Sequence, residues 1–191
     1  MKDFVKSILA GVMISLGGLA FLQQESKICG AFLFSIGLIA VILFGYNLFT
    51  GKVCNKDYLC APVRLIKVYI GNLIGTLLSA VLLWSHGSIV DSARAVADAK
   101  MGKPLFNVFI DSVVCGICIA IAVKGYARTK SFIPVILGVM VFILASAEHV
   151  VADMFYFLLA HNTPLVPTLL FFGVVTIGNI LGGAIFATEN V

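Results

Sequence analysis

IGNLIGTL occupies residues 70–77 and IGNILGGA residues 177–184, so Gly71 and Gly178 stand 107 positions apart (178 − 71). Small residues are common wherever membrane helices pack closely. Here, however, the order Ile-Gly-Asn-x-x-Gly is kept as well as the composition. A phrase written twice at this distance points to an internal duplication.

Composition narrows the class. Of 191 residues, 61% are hydrophobic and 12% charged, with a mean hydropathy of +1.10, whereas soluble domains carry charge on about a quarter of their residues. The chain therefore reads as an all-α integral membrane protein with a single membrane domain over 1–191. A spanning helix needs about 20 mostly apolar residues, and six stretches qualify: 7–23, 28–49, 64–84, 105–123, 132–159 and 165–187. The opening MKDFVKS could begin a signal peptide, but no small-x-small cleavage site leads into a soluble region. The first stretch is expected to be retained as a span.

The basic residues give an orientation. With both termini cytoplasmic, nine Lys and Arg fall on the inner side (Lys2, Lys6, Lys52, Lys56, Arg64, Lys67, Lys124, Arg128 and Lys130). Four fall outside: Lys27, Arg94, Lys100 and Lys103. That bias fits an even number of spans. The net charge of +4 thus reports topology, and no basic domain is available for a nucleic acid. Cys115 and Cys118 form a CxxC inside an apolar helix, a poor context for a redox or zinc site.

Three spans followed by three more put the two glycine-asparagine phrases on spans three and six. An odd number of spans per half turns the second half upside down, giving inverted halves of about 1–98 and 99–191. Inverted repeats of this kind carry paired discontinuous helices near the bilayer midplane. Breaks are accordingly expected in span two, near 47–51 (NLFTG), and in span five, near 145–149 (ASAEH). Glu148 and His149 then lie mid-span, where an ionisable side chain costs about 2.5–3.5 kcal/mol even on the gentler insertion scales. A cavity, a partner or a broken helix must compensate.

NLFTG, AEHVVADMF (147–155 within span five) and IGNILGG together resemble the formate/nitrite transporter family, whose span-five signature is similar to FEHSVANMY. The likeness runs from about residue 7 to 187 in the right order. It implies an aquaporin-like fold of six spans in a 3+3 inverted repeat, a homopentamer in the inner membrane of a prokaryote, and one pore per protomer. Small monovalent anions of weak acids, such as formate, nitrite or hydrosulfide, would pass together with protons. No cofactor or enzymatic activity is implied.

Carried over by position, the resemblance makes His149 the central histidine and Thr50 the threonine of the span-two loop. It places Glu148, Asn179, its repeat partner Asn72, and Lys100 along the substrate pathway, with Lys103 a close alternative to Lys100. Phe34, Leu38, Leu48, Phe49, Ile119 and Phe142 would build the apolar constrictions. From the residues alone that last set reads equally as core packing, and the two buried amides as support for opened backbone. Glu148 is expected to hold the imidazole or the interrupted backbone. Two positions depart from the family pattern: Gly116 stands where span four usually has asparagine, and Asp153 where span five does. A lost amide and an added carboxylate would change the polarity of the cavity.

Two other classes fit less well. A channel for neutral solutes such as water, ammonia or urea could use the same fold. A membrane enzyme or haem protein finds no HExxH spacing, and His86 and His161 fall near loops, leaving His149 without a mid-membrane partner.

Overall fold

The computed structural model describes residues 1–187, and every regular element among them is a helix. In chain order these are α1 (Lys2–Leu22), α2 (Lys27–Leu43), α3 (Phe49–Lys52), α4 (Lys56–Leu59), α5 (Pro62–Leu83), α6 (Gly87–Met101), α7 (Leu105–Thr129), α8 (Ile133–Leu144), α9 (Val150–Ala160) and α10 (Leu165–Ala184). Four of them, α1, α5, α7 and α10, are long and apolar enough to cross a bilayer. At 1.5 Å per residue, α8 and α9 reach only about 18 and 16 Å, well short of a ~30 Å hydrocarbon core. Large apolar side chains cover the outside, among them Ile28, Phe32 and Ile36 on α2, Ile66 and Ile70 on α5, and Leu169 and Ile177 on α10. Lipid or a neighbouring protomer suits such a surface.

Small residues set the helix crossings. A Cβ on Gly75 would collide with the Ile8 carbonyl of α1, and one on Gly182 with the Val113 carbonyl of α7. Gly11 faces the Asn72 backbone, and Gly116 faces the Asn179 backbone in the same way. α1 thus packs on α5 as α7 packs on α10, and α1 on α2 as α7 on α8. Glycine permits the close backbone approach from which helix association in a membrane draws its packing energy.

The correspondence extends to hydrogen bonds. Asn72 Oδ1 accepts from the Phe49 N–H at 2.8 Å, and Asn72 Nδ2 donates to the carbonyls of Ser7 (2.7 Å) and Asn47 (2.9 Å). Asn179 Oδ1 accepts from the Val150 N–H at 2.9 Å, and its Nδ2 donates to the carbonyls of Ser112 and Glu148, both at 2.8 Å. The Tyr46 N–H reaches Val41 O as the Ala147 N–H reaches Phe142 O. Gly45 (φ 63°) and Ser146 (φ 56°) hold the same left-handed backbone one residue earlier, a conformation easy for glycine and unusual for serine. Tyr69 and Thr176 share a hydroxyl–hydroxyl hydrogen bond of 3.2 Å across a separation of 107 residues, the spacing of the repeated phrase itself.

The non-helical stretch after α2 covers 44–48, earlier than the expected 47–51. Its end is set by Asn72, which satisfies the first free N–H and lets helix restart at Phe49. The corresponding stretch after α8 covers 145–149, and α10 stops at Ala184, short of the expected 187. Residues 87–101, between the third and fourth expected spans, form α6, which packs on α9. The expected boundary between halves at 98/99 therefore falls inside a helix.

Candidate functional site

His149 is the residue immediately before α9 and its N-cap. Its backbone is extended (φ −108°, ψ 108°), and Nδ1 accepts the Ala152 N–H at 3.1 Å. An imidazole nitrogen that accepts carries no hydrogen, so the neutral ring holds its hydrogen on Nε2. Nε2 lies 2.8 Å from Thr50 Oγ1 and donates to it, which leaves the Thr50 hydroxyl hydrogen to be donated onward. Thr50 belongs to α3, so the contact joins the two short helices that start at Phe49 and Val150. Both side chains are buried. Phe142 stacks on the imidazole (ring centroids 5.7 Å, 22°) and meets Phe34 edge-on at 5.8 Å.

On one side of this pair lies a cavity of about 210 Å³, lined by Phe34, Phe142, His149, Asp153, Tyr156 and a group of lysines. At ~30 Å³ per water, it holds several waters or one small hydrated ion. Lys103 Nζ donates to Asp111 Oδ2, the Ser146 carbonyl and Glu148 Oε1, each at 2.7 Å. Lys100 Nζ pairs with Glu148 Oε2, and with Asp153 Oδ1 at 2.9 Å. Lys27 reaches Ser146 Oγ at 2.9 Å and the Leu144 carbonyl at 3.2 Å, at the negative end of α8. Burial works against the Lys100 ammonium, but Asp153 and Glu148 outweigh it and hold the group above the usual lysine range. Lys103 is raised as well: burial opposes it, and Asp111 and Glu148 prevail. Both lysines stay charged at neutral pH.

A second cavity, of about 290 Å³, is lined by Leu38, Val41, Leu48, Gly51, Lys52 and Lys130 among others. It shares no lining residue with the first. Phe34 and Leu38 sit one turn apart on α2, about 6 Å along its axis, so the first cavity ends and the second begins within one turn. Between them stand the aromatic pair, His149 and Thr50. Phe49 and Ile119, expected at constrictions, are buried but line neither cavity. The Phe49 ring packs edge-on against Tyr69 at 5.0 Å.

Three further expectations need revision. Asn72 and Asn179, placed on the pathway, line neither cavity, and each amide bonds two groups of an opened stretch and one carbonyl of a neighbouring helix, Ser7 in α1 or Ser112 in α7. Glu148 does not touch the imidazole, because its carboxylate is taken by Lys100 and Lys103. Gly116 faces the backbone of α10 at the helix crossing, so it removes no amide from the cavity. Asp153 does line it. Lys103, expected only as an alternative to Lys100, lines the cavity together with it, and Lys27 and Asp111 join the group without having been expected there. A signal was available, since three of the four basic residues assigned to the outer side converge on this one cavity, and Arg94 pairs instead with Asp91 at 3.0 Å.

The family model described as formate/nitrite transporter matches residues 1–189. The chain belongs to that family. It is 28% identical over 189 residues to the Formate channel FocA of Escherichia coli, covering 81% of this chain and 65% of that protein. The chain thus spans a little under two thirds of the length of that formate channel. It is 30% identical over 217 residues to the Nitrite transporter NirC of the same species, covering 96% of this chain and 80% of that protein. A solved structure described as a pentameric formate channel with formate bound superposes with a TM-score of 0.81 at 22% identity, covering 97% of this chain and 93% of that one. The fold is that of an all-α, multi-pass membrane channel, and the relatives are channels and transporters rather than enzymes.

Proposed function

We propose that the protein conducts small monovalent anions of weak acids, in the formate, nitrite or hydrosulfide class, with protons moving alongside and His149 assisting protonation. The observation that carries this reading is the buried Thr50–His149 hydrogen bond, set between a lysine-bearing cavity and a second cavity with an apolar barrier between them. Names of relatives support the substrate class: one is a formate channel and another a nitrite transporter.

In this reading α2 with α3, and α8 with α9, are two broken spans, which with α1, α5, α7 and α10 make six in an inverted 3+3 arrangement. The paired Asn72 and Asn179 networks support it. So does the contact between Tyr69 and Thr176, because equivalent residues of two halves meet where a two-fold axis passes between them. An even span number together with the basic-residue bias favours cytoplasmic termini. The pentameric relative motivates a homopentamer in the lipid bilayer, and crosslinking in mild detergent that ends at dimer or trimer would count against it.

An anion entering the first cavity meets Lys27, Lys100 and Lys103, then faces the Phe34–Phe142 pair, where it would have to shed its hydration. Conversion to the neutral acid removes that barrier, and beyond it Lys52 and Lys130 favour the anion again. His149 keeps Nδ1 on the start of α9, so a ring that gave up its Nε2 hydrogen would become an anion in an apolar site. The transfer therefore requires a proton to arrive in the cavity with the anion. Thr50, which accepts from Nε2, can donate its hydroxyl hydrogen to the passing oxygen.

The test is uptake of formate, nitrite, hydrosulfide and acetate into proteoliposomes, alongside water, ammonia and urea permeability. Saturable weak-acid uptake that rises as external pH falls is expected. Fast, pH-independent passage of neutral solutes without anion uptake would favour the alternative channel class.

A further inference from the structure

The first cavity is charge-balanced. Lys27, Lys100, Lys103, Glu148 and Asp153 line it, and Asp111 pairs with Lys103 from just outside the lining, three cations against three carboxylates. An anion that enters therefore finds Lys100 and Lys103 already paired with carboxylates and Lys27 held by Ser146 Oγ and the Leu144 carbonyl, and it adds an unmatched negative charge to the site. Buried charges are tolerated only when paired. Some group has to neutralise the newcomer, and His149 keeps its Nδ1 lone pair on the Ala152 N–H. Glu148 is held by two lysines, with both oxygens engaged.

Asp153 differs. It is buried, lines the cavity, and lies within ion-pair reach of Lys100 through Oδ1 alone. Neither of its oxygens makes a hydrogen bond of good geometry. A buried carboxylate oxygen without a partner is costly unless something arrives to meet it. Asp153 sits one turn beyond His149 on α9, on the face that closes the cavity with Tyr156.

Building on the proposed weak-acid function, we propose that Asp153 takes up the proton that accompanies the anion, and that its protonated carboxyl then donates a hydrogen bond from Oδ2 to the anion's oxygen. The step balances: one proton from the vestibule water binds the carboxylate, one anion binds beside it, and the net charge of the cavity does not change. Lys100 keeps Glu148 throughout. The groups facing Asp153 are Lys100 from α6, Cys115 from α7, Glu148 and His149 from the turn before α9, and Tyr156 on α9, with Lys27 and Lys103 across the cavity. Among them Asp153 alone combines a titratable oxygen with a missing partner. The same hydrogen is positioned to pass to the anion as it moves toward Thr50. Asp153 is thereby a substrate-contacting residue that ties anion binding to external pH.

The experiment titrates formate into the purified protein in weakly buffered detergent solution with a pH indicator present. Wild type should take up about one proton per formate bound, and its affinity should fall about tenfold per unit rise in pH. Asp153→Asn, which keeps the shape and cannot titrate, should bind formate without proton uptake and with a flat pH profile. Asp153→Glu should retain uptake. Should Asp153→Asn not fold, infrared difference spectra decide: formate should raise a protonated-carboxyl band in wild type that shifts in Asp153→Glu. Formate binding to wild type without proton uptake, undiminished uptake in Asp153→Asn, or a band that ignores Asp153→Glu would overturn the assignment while leaving the anion channel in place. Absence of any weak-acid binding and transport would instead overturn the proposed function, and this inference with it.

Discussion

Asn179→Ala removes one side chain that is fully buried and serves three backbone groups at once. The Val150 N–H at the start of α9 loses its acceptor, and the carbonyls of Ser112 and Glu148 lose a donor. An orphaned buried donor costs about 1–3 kcal/mol, and each carbonyl that keeps another possible partner about 1 kcal/mol. The sum is about 3–5 kcal/mol, a large share of the ~5–15 kcal/mol by which folded proteins are stable. Asn72→Ala removes the equivalent three bonds and should cost about as much. Asn162→Ala, at an exposed position, should stay within about 0.5 kcal/mol of wild type. Equilibrium unfolding in mixed micelles reads all three. If Asn179→Ala and Asn72→Ala both fell within 1 kcal/mol of Asn162→Ala, the amides would not hold the helix restarts, and the argument from paired networks would fail.

Thr50→Val keeps the shape of the side chain and removes the acceptor of Nε2. One buried hydrogen bond is worth enough to slow weak-acid uptake about tenfold, less than removal of the imidazole. At the helix crossings, Gly182→Val drives side-chain atoms into the Val113 carbonyl and should destabilise the protein by about 1–3 kcal/mol or more. Gly173→Ala meets nothing within 4 Å and should be tolerated, which thermal unfolding of both variants checks.

Hydropathy made the long helices legible, and the Ile-Gly-Asn repeat made their pairing legible, because close helix crossings and asparagine-supported backbone demand particular residues at particular places. Helix α6 escaped notice for a physical reason. Asp91, Arg94, Asp98 and Lys100 give it the polarity of a loop, and only packing on α9 makes it a helix. Thr50 and His149 could be named as partners on family resemblance, although 99 residues separate them. Ion pairs were harder to foresee. Glu148 is 48 positions from Lys100 and 45 from Lys103, and nothing in local spacing predicts that it serves them rather than its neighbour His149. Asn72 and Asn179 were ambiguous because an amide suits a pore wall and an opened backbone equally. Only the count of bonds made by each amide distinguishes the two. Gly116 misled because it was judged by the residue it replaces, whereas its place is set by the α10 backbone beside it.

The central claim is that His149 couples a proton to a passing anion. Weak-acid uptake into proteoliposomes, with internal pH recorded at the same time, tests it most directly in wild type and His149→Phe. Phe fills similar space without a titratable nitrogen, and size-exclusion chromatography confirms that the oligomer is intact. Wild type should acidify the lumen in step with anion uptake, and folded His149→Phe should do neither. Unchanged anion uptake in folded His149→Phe, or wild-type anion flux with no proton movement, would contradict the account.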